Sequence, residues 1–101
     1  MIALTMAAML LTQGSDLRCP AIALRIERTT RIASDKIAGT YAAHPNDAEV
    51  LARVRQIRAS QAIARDIRKR YPGPAARIAD IERMKWDAVI AEGRRCLDGE
   101  G

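Results

Sequence analysis

Three side chains have the chemistry for a covalent or metal site: two cysteines and one histidine among 101 residues. Cys19 and Cys96 lie near the two ends of the chain, and His44 precedes Pro45 in a short polar segment. Zinc sites in proteins use four ligands with short paired spacing, and these residues supply neither the number nor the spacing. We therefore predict no metal site and no cofactor, and we interpret His44 as a solvated or capping turn residue.

Motifs that would indicate an enzyme are missing from the sequence. It contains no nucleophile elbow, no HExxH pair and no phosphate-binding glycine loop. Its acidic residues are spaced like the charges of a solvated surface rather than as a catalytic pair. We expect a protein that is not an enzyme.

A row of cations is the clearest feature that could bind a partner. Residues 47–71 carry seven Lys or Arg against three Asp or Glu, a net +4 of the chain's +5. On a helix, Arg55, Arg58, Arg65 and Lys69 share one face and span fourteen residues, or about 21 Å. A solvated helix face would have the same pattern, so the row is either solvated surface or the contact for an anionic partner.

These cations lie on a predicted helix of residues 47–71, which contain no Gly or Pro. Apolar and small residues recur there at steps of three or four: Val50, Val54, Ile57, Gln61, Ala64, Ile67 and Tyr71. Asn46 or Asp47 can cap its start, and Pro72 ends it. The helix therefore has one apolar seam and one basic face.

Two further helices are predicted, over about residues 16–42 and 74–97. The first has an apolar seam formed by Cys19, Ile22, Ile26, Thr30, Ala33, Ile37 and Tyr41, with its arginines on other faces. A bend is expected to be tolerated at Thr29–Ser34. The last helix has two apolar lines, and the second consists of Ala79, Trp86, Ile90 and Leu97. Trp86, Ile90 and Leu97 of this line form either core or a docking face.

The chain is thus expected to be all-α, a small antiparallel bundle of three long helices, with a fourth segment if helix 1 breaks near Thr29–Ser34. Two cysteines favour one disulfide between Cys19 and Cys96. Three antiparallel helices, however, would place these residues at opposite ends, about 33 Å apart, whereas a disulfide needs Cα atoms roughly 4.4–6.8 Å apart. Either the bridge is intermolecular or absent, or helix 1 folds back.

The N-terminal segment resembles a secretory signal peptide. Residues 2–11 form an apolar run of the length of an h-region, and Thr12 and Gly14 are small enough for a cleavage site before Ser15. No Lys or Arg precedes the run, which departs from the usual pattern. The resemblance implies a leader of residues 1–14, a helical domain of residues 15–101 and a periplasmic or secreted protein. If the leader is retained, the protein is expected to be cytoplasmic.

Two binding functions fit these observations. The first is an exported helical protein that binds an unidentified protein or an anionic envelope component through its basic face or its second apolar face; a membrane surface and a second copy of the chain are further partners of this kind. The second is a cytoplasmic nucleic-acid-binding protein. The second fits less well, because only 3% of residues are aromatic and no nucleic-acid-binding motif is present.

Overall fold

The computed structural model describes the backbone of residues 2–98 and the side chains of residues 17–98. Four helices follow one another: α1 (Ile2–Ala43), α2 (Ala48–Arg70), α3 (Ala79–Glu82) and α4 (Trp86–Leu97). The part of the chain that is described contains no β-strand. The predicted all-α bundle is confirmed, with three long helices and one short helix.

The helix α1 contains the whole of the predicted first helix and is continuous through Thr29–Ser34. The break considered there is therefore not formed. Pro20 lies inside α1 and is fully buried, although it has no N–H to donate to the helix. The prediction of a leader over residues 1–14 concerns residues whose side chains are not described, and it stays a prediction.

The helix α2 agrees with its predicted boundaries to within one residue at each end. The Asp47 carboxylate accepts hydrogen bonds from the backbone N–H groups of Glu49, at 2.9 Å, and Val50, at 3.1 Å. An N-cap of this kind satisfies donors that have no partner within the helix. At the other end, the N–H of Tyr71 bonds to the carbonyl of Ile67, and Pro72 follows.

The predicted third helix, over residues 74–97, is not continuous. Residues 74–78 are not helical, α3 has only four residues, and the chain breaks again at residues 83–85 before α4 begins. The break is stabilised by Arg25 of α1, whose guanidinium donates to the carbonyl oxygens of Ile81, Glu82 and Met84. In an uninterrupted helix these carbonyls would accept from backbone N–H groups four residues later.

This break explains how the two cysteines meet. The hairpin of α1 and α2 runs out and back, and the segment of residues 71–85, which includes α3, then runs outward again along α1. From Trp86, α4 returns antiparallel to α1 and brings Cys96 to Cys19, with their Cα atoms 6.0 Å apart. The predicted disulfide is confirmed as an intramolecular bridge. The expected separation of about 33 Å was wrong, because it rested on a continuous third helix.

The core lies where α4 covers the hairpin. Its fully buried side chains come from all four helices: Ile22 and Ile26, Ala64 and Ile67, Ile81, and Val89. The helix α4 approaches closely at Gly93, where an added Cβ would lie 3.2 Å from Ile63 Cγ2 and 3.3 Å from Ile26 Cδ1. A small residue there allows α4 to pack closely against α1 and α2.

The rest of the hairpin has only two layers. We call residues 31–59 the distal hairpin. Along the predicted α1 seam, Cys19, Ile22, Ile26 and Thr30 are buried, whereas Ala33, Ile37 and Tyr41 are only half-buried. In the distal part of α2, Val54 is buried, but Val50 and Ile57 are half-buried. The apolar seam thus continues beyond the region that α4 covers.

Candidate functional site

The predicted basic face is solvent-exposed. Arg55, Arg58, Arg65 and Lys69 are all exposed on α2, on the side turned away from the buried Ala64 and Ile67 of the same helix. Among residues 17–98, whose side chains are described, none of the four forms an ion pair. The face therefore keeps its four charges available to a partner.

Other arginines are used within the fold. Arg68 of α2 forms two hydrogen bonds to the carboxylate of Glu27 on α1, the shorter at 2.8 Å. Arg70 donates to the carbonyl of Cys96, at 3.2 Å, and Arg28 pairs with Glu82. The basic cluster at the end of α2 is thus divided between structural contacts and exposed charge. The position of a basic residue in the sequence does not by itself show whether it makes a structural contact or stays exposed.

Arg18 joins α1 to both segments that follow α2. Its guanidinium bonds to the carboxylate of Glu92 on α4, and to Asp80 on α3 at 2.9 Å. Two hydrogen bonds raise the pKa of Arg18, and the one to Glu92 has a larger effect than the one to Asp80. The hydrogen bond from Arg18 in turn lowers the pKa of Asp80. Hydrogen bonding to Glu27 likewise raises the pKa of Arg68. Arg18, Arg68 and Asp80 therefore stay charged at neutral pH, and their contacts link the helices.

The predicted apolar docking line is largely occupied by the fold. Trp86, Ile90 and Leu97 are half-buried and pack against the core cluster. All three also line surface grooves: Trp86 lines one on the distal hairpin, Trp86 and Ile90 line a second, and Leu97 lines a third. The line is therefore partly packed within the fold and partly open, and Trp86 is the member that reaches the groove of the distal hairpin.

That groove has a volume of about 470 Å³ and lies between the distal parts of α1 and α2. On α1 it extends from Thr29 to Thr40, and α4 contributes only its first residue, Trp86. Its apolar lining consists of Ala33, Ile37, Ile57 and Trp86. Two buried hydroxyls at its inner end are already satisfied, since Thr30 donates to Ile26 and Ser60 to Gln56.

Two cations accompany the apolar lining, Lys36 from α1 and Arg53 from α2. Both are exposed, and neither forms an ion pair with a described residue. The described residues that line the groove include no Asp or Glu. Sequence reasoning missed this site, although a seam that extends as far as Tyr41 was a signal that something must cover it.

Cysteine and histidine chemistry is limited in the described part of the chain. Cys19 and Cys96 are consumed by the bridge. His44 is exposed in the connection between α1 and α2, where its carbonyl accepts the N–H of Asp47. Among residues 17–98, whose side chains are described, no group of three or more His, Cys, Asp or Glu is placed to hold a metal ion. Within residues 2–98, no helix is long and apolar enough to span a membrane.

The chain matches no family model, no curated protein and no solved structure. The candidate sites therefore depend on their own geometry: a basic face on α2 and a groove on the distal hairpin.

Proposed function

We propose that this chain is an exported, non-enzymatic helical protein that binds an anionic component of the cell envelope through the basic face of α2. The observation that carries the proposal is the exposure of Arg55, Arg58, Arg65 and Lys69 on one side of a rigid helix, without carboxylate partners among the described residues. Charges held at fixed spacing attract an anionic polymer or surface at long range and bind it in a salt-dependent manner.

The contrast with other cations supports this assignment. Arg18, Arg28 and Arg68 have carboxylate partners within the fold, so their charge is largely used there. The four cations outnumber the one exposed acid on the same side of α2, Asp66, which lies beside Lys69. The four exposed cations span about 21 Å of α2, which is long enough to follow several charges of an extended anionic partner.

Three features support export. The N-terminal segment resembles a signal peptide, and disulfides persist mainly in oxidising compartments. Pro20 is the third: a proline in a helix interior costs about 3 kcal/mol, but much less near the start of a helix. In a mature chain beginning at Ser15, only five residues precede Pro20, so the proline disturbs fewer helical hydrogen bonds than in the full chain.

The alternative is a cytoplasmic protein that binds nucleic acid through the same face. Four cations on one helix favour it, since phosphate backbones bind Lys and Arg regardless of sequence. The disulfide favours the exported form. The two functions differ in compartment and in ligand, and both can be measured.

The compartment is tested by the intact mass of the protein recovered from its host. We expect the mass of residues 15–101 less two hydrogens, which reports leader removal and the bridge together. A full-length, reduced chain recovered from the cytoplasm would contradict the export proposal.

The binding face is tested by charge reversal. Arg58→Glu with Arg65→Glu lowers the net charge from +5 to +1, and so does Lys36→Glu with Arg53→Glu, which serves as the matched control. The ligands are vesicles containing phosphatidylglycerol, a soluble acidic polysaccharide and duplex DNA, each at low and high salt. We expect the Arg58/Arg65 variant to lose about tenfold in affinity for an envelope ligand and the control about twofold or less. Equal losses in the two variants would contradict a specific face, and tight binding to duplex DNA alone would favour the alternative.

A further inference from the structure

The groove on the distal hairpin lies where a bundle of this kind would place its third helix. In the proximal part, α4 packs on α1 and α2 and buries Ile22, Ile26 and Ile67. Because α4 begins at Trp86 and runs toward Cys96, it leaves the same side of the hairpin open beyond Trp86. The apolar residues Ala33, Ile37 and Ile57 are half-buried there for lack of a third layer.

The dimensions of the groove match a helix. On α1 the groove extends from Thr29 to Thr40, which corresponds to about 16 Å, or three helical turns. A helix of about eleven residues would fill this length, nearly the twelve residues of α4 itself. Its apolar positions would have to recur at i, i+3, i+4 and i+7, the pattern by which amphipathic helices dock into grooves.

The charge of the groove selects the kind of helix. Lys36 and Arg53 stand on opposite helices, and no Asp or Glu is among the described lining residues. A helix with acidic residues beside its apolar stripe would pair with both cations, whereas a basic helix would be repelled. A second copy of this chain, with its net charge of +5, is disfavoured for the same reason.

We infer that the groove between α1 and α2, closed at one end by Trp86, binds an acidic amphipathic helix of a partner protein and that this helix completes the third layer of the bundle. This site is separate from the basic face of α2. On α2, Arg53 and Ile57 line the groove beside the hairpin seam, whereas Arg58 and Arg65 lie on the outer side of the helix.

Trp86 provides the readout, because it is the only tryptophan in the chain. The probe is a synthetic peptide of about fourteen residues, with Leu at i, i+3, i+4 and i+7, Glu at the flanking positions, and a covalent side-chain link that holds it helical. The full chain with its bridge intact is titrated with this peptide while tryptophan emission is recorded. We expect a saturable shift of the emission to shorter wavelength, as the peptide excludes water from the indole.

Three comparisons make the test specific. A scrambled peptide of identical composition keeps the charge but loses the apolar stripe, and we expect it to bind at least about tenfold more weakly.

The protein variants test the groove itself. Lys36→Glu with Arg53→Glu should weaken binding of the original peptide by about tenfold or more. The matched control, Arg58→Glu with Arg65→Glu, should weaken it by about twofold or less. Ala33→Phe, which fills the groove without changing charge, should also abolish the shift. Circular dichroism verifies that each variant is folded.

Four outcomes would overturn the inference. The first is the absence of saturable binding by the folded chain. The second is equal binding of the scrambled peptide, which would indicate charge attraction alone. The third is a shift of Trp86 emission by dodecanoate but not by the peptide, which would assign the groove to an anionic amphiphile. The fourth is a dimer, seen by light scattering, in which Trp86 is protected, which would assign the groove to a second copy. The groove and the basic face are tested with different ligands and different variants. If the basic face of α2 failed to bind an envelope ligand, the result of the peptide titration would therefore be unaffected.

Discussion

Arg25 shows how a single side chain determines the course of the chain. By periodicity it belongs to the polar faces of α1, where nothing distinguishes it from Arg31. In the structure it is half-buried and donates to the carbonyls of Ile81, Glu82 and Met84, the closest at 2.8 Å. A charged donor that satisfies carbonyls at a helix break lowers the cost of that break.

We therefore expect Arg25→Met to lower the free energy of unfolding by about 1–3 kcal/mol, because three carbonyls lose a charged hydrogen-bond donor. Urea unfolding followed by circular dichroism measures the change. The matched control is Arg31→Met, which removes an exposed arginine from the same helix and should change stability by about 0.5 kcal/mol or less. Similar losses in the two variants would show that Arg25 acts only through general charge or helix propensity.

At the scale of elements, periodicity predicted α1 and α2 well but not the segment after Pro74. The seams of α1 and α2 repeat over many turns, so each helix could be assigned from its own sequence. The segment of residues 74–97 also has helical spacing, yet its first half is mostly irregular. The carbonyls at its break accept hydrogen bonds from Arg25, about sixty residues earlier in the chain, and local spacing contains no information about a contact of that range.

The same limit applies to the candidate sites. The basic face was predicted from α2 alone, because its spacing and exposure are local properties. The groove was not, because it exists only once α4 is known to begin at Trp86. The disulfide was predicted from the number of cysteines. The course of the chain that brings Cys96 to Cys19 was not predicted, because it depends on the break before α4.

Gly93 is the close-packing point of α4, and substitution there should be costly. We expect Gly93→Leu to lower the free energy of unfolding by about 1–3 kcal/mol, because the new side chain would collide with Ile63 and Ile26. The control is Gly39→Leu at an exposed position of α1, where an added Cβ would meet no other atom within 4 Å. It should raise stability by about 0.5–1 kcal/mol through helix propensity. Thermal unfolding of both variants measures the contrast, and a neutral Gly93→Leu would mean that α4 packs less closely than the structure indicates.

At the scale of the whole molecule, the chain has a closed half and an open half. The proximal half has three layers, a buried core and the Cys19–Cys96 bridge. The distal hairpin has two layers and carries the groove, while the basic face extends along the outer side of α2 over both halves. Stability is thus concentrated at one end of the molecule, and unfilled apolar surface is found at the other.

The bridge should contribute much of the stability of this small core. It joins residues 77 positions apart, and the chain-entropy estimate for such a loop is about 4.5 kcal/mol. We expect the free energy of unfolding to fall by about this amount when a reductant is added, as measured by urea unfolding. The double variant Cys19→Ser with Cys96→Ser should be destabilised to the same extent and should not respond to the reductant. A wild-type midpoint that is unchanged by reduction would contradict a stabilising bridge.

The position of the bridge also affects how the molecule withstands proteolysis. The connection between α1 and α2, residues 44–47, is exposed throughout and is the natural site for a protease to cut. Such a cut would leave one fragment with Cys19 and the other with Cys96, so the two pieces would remain covalently joined. A nicked molecule would then keep α1 and α2 together, and only cleavage combined with reduction would separate them.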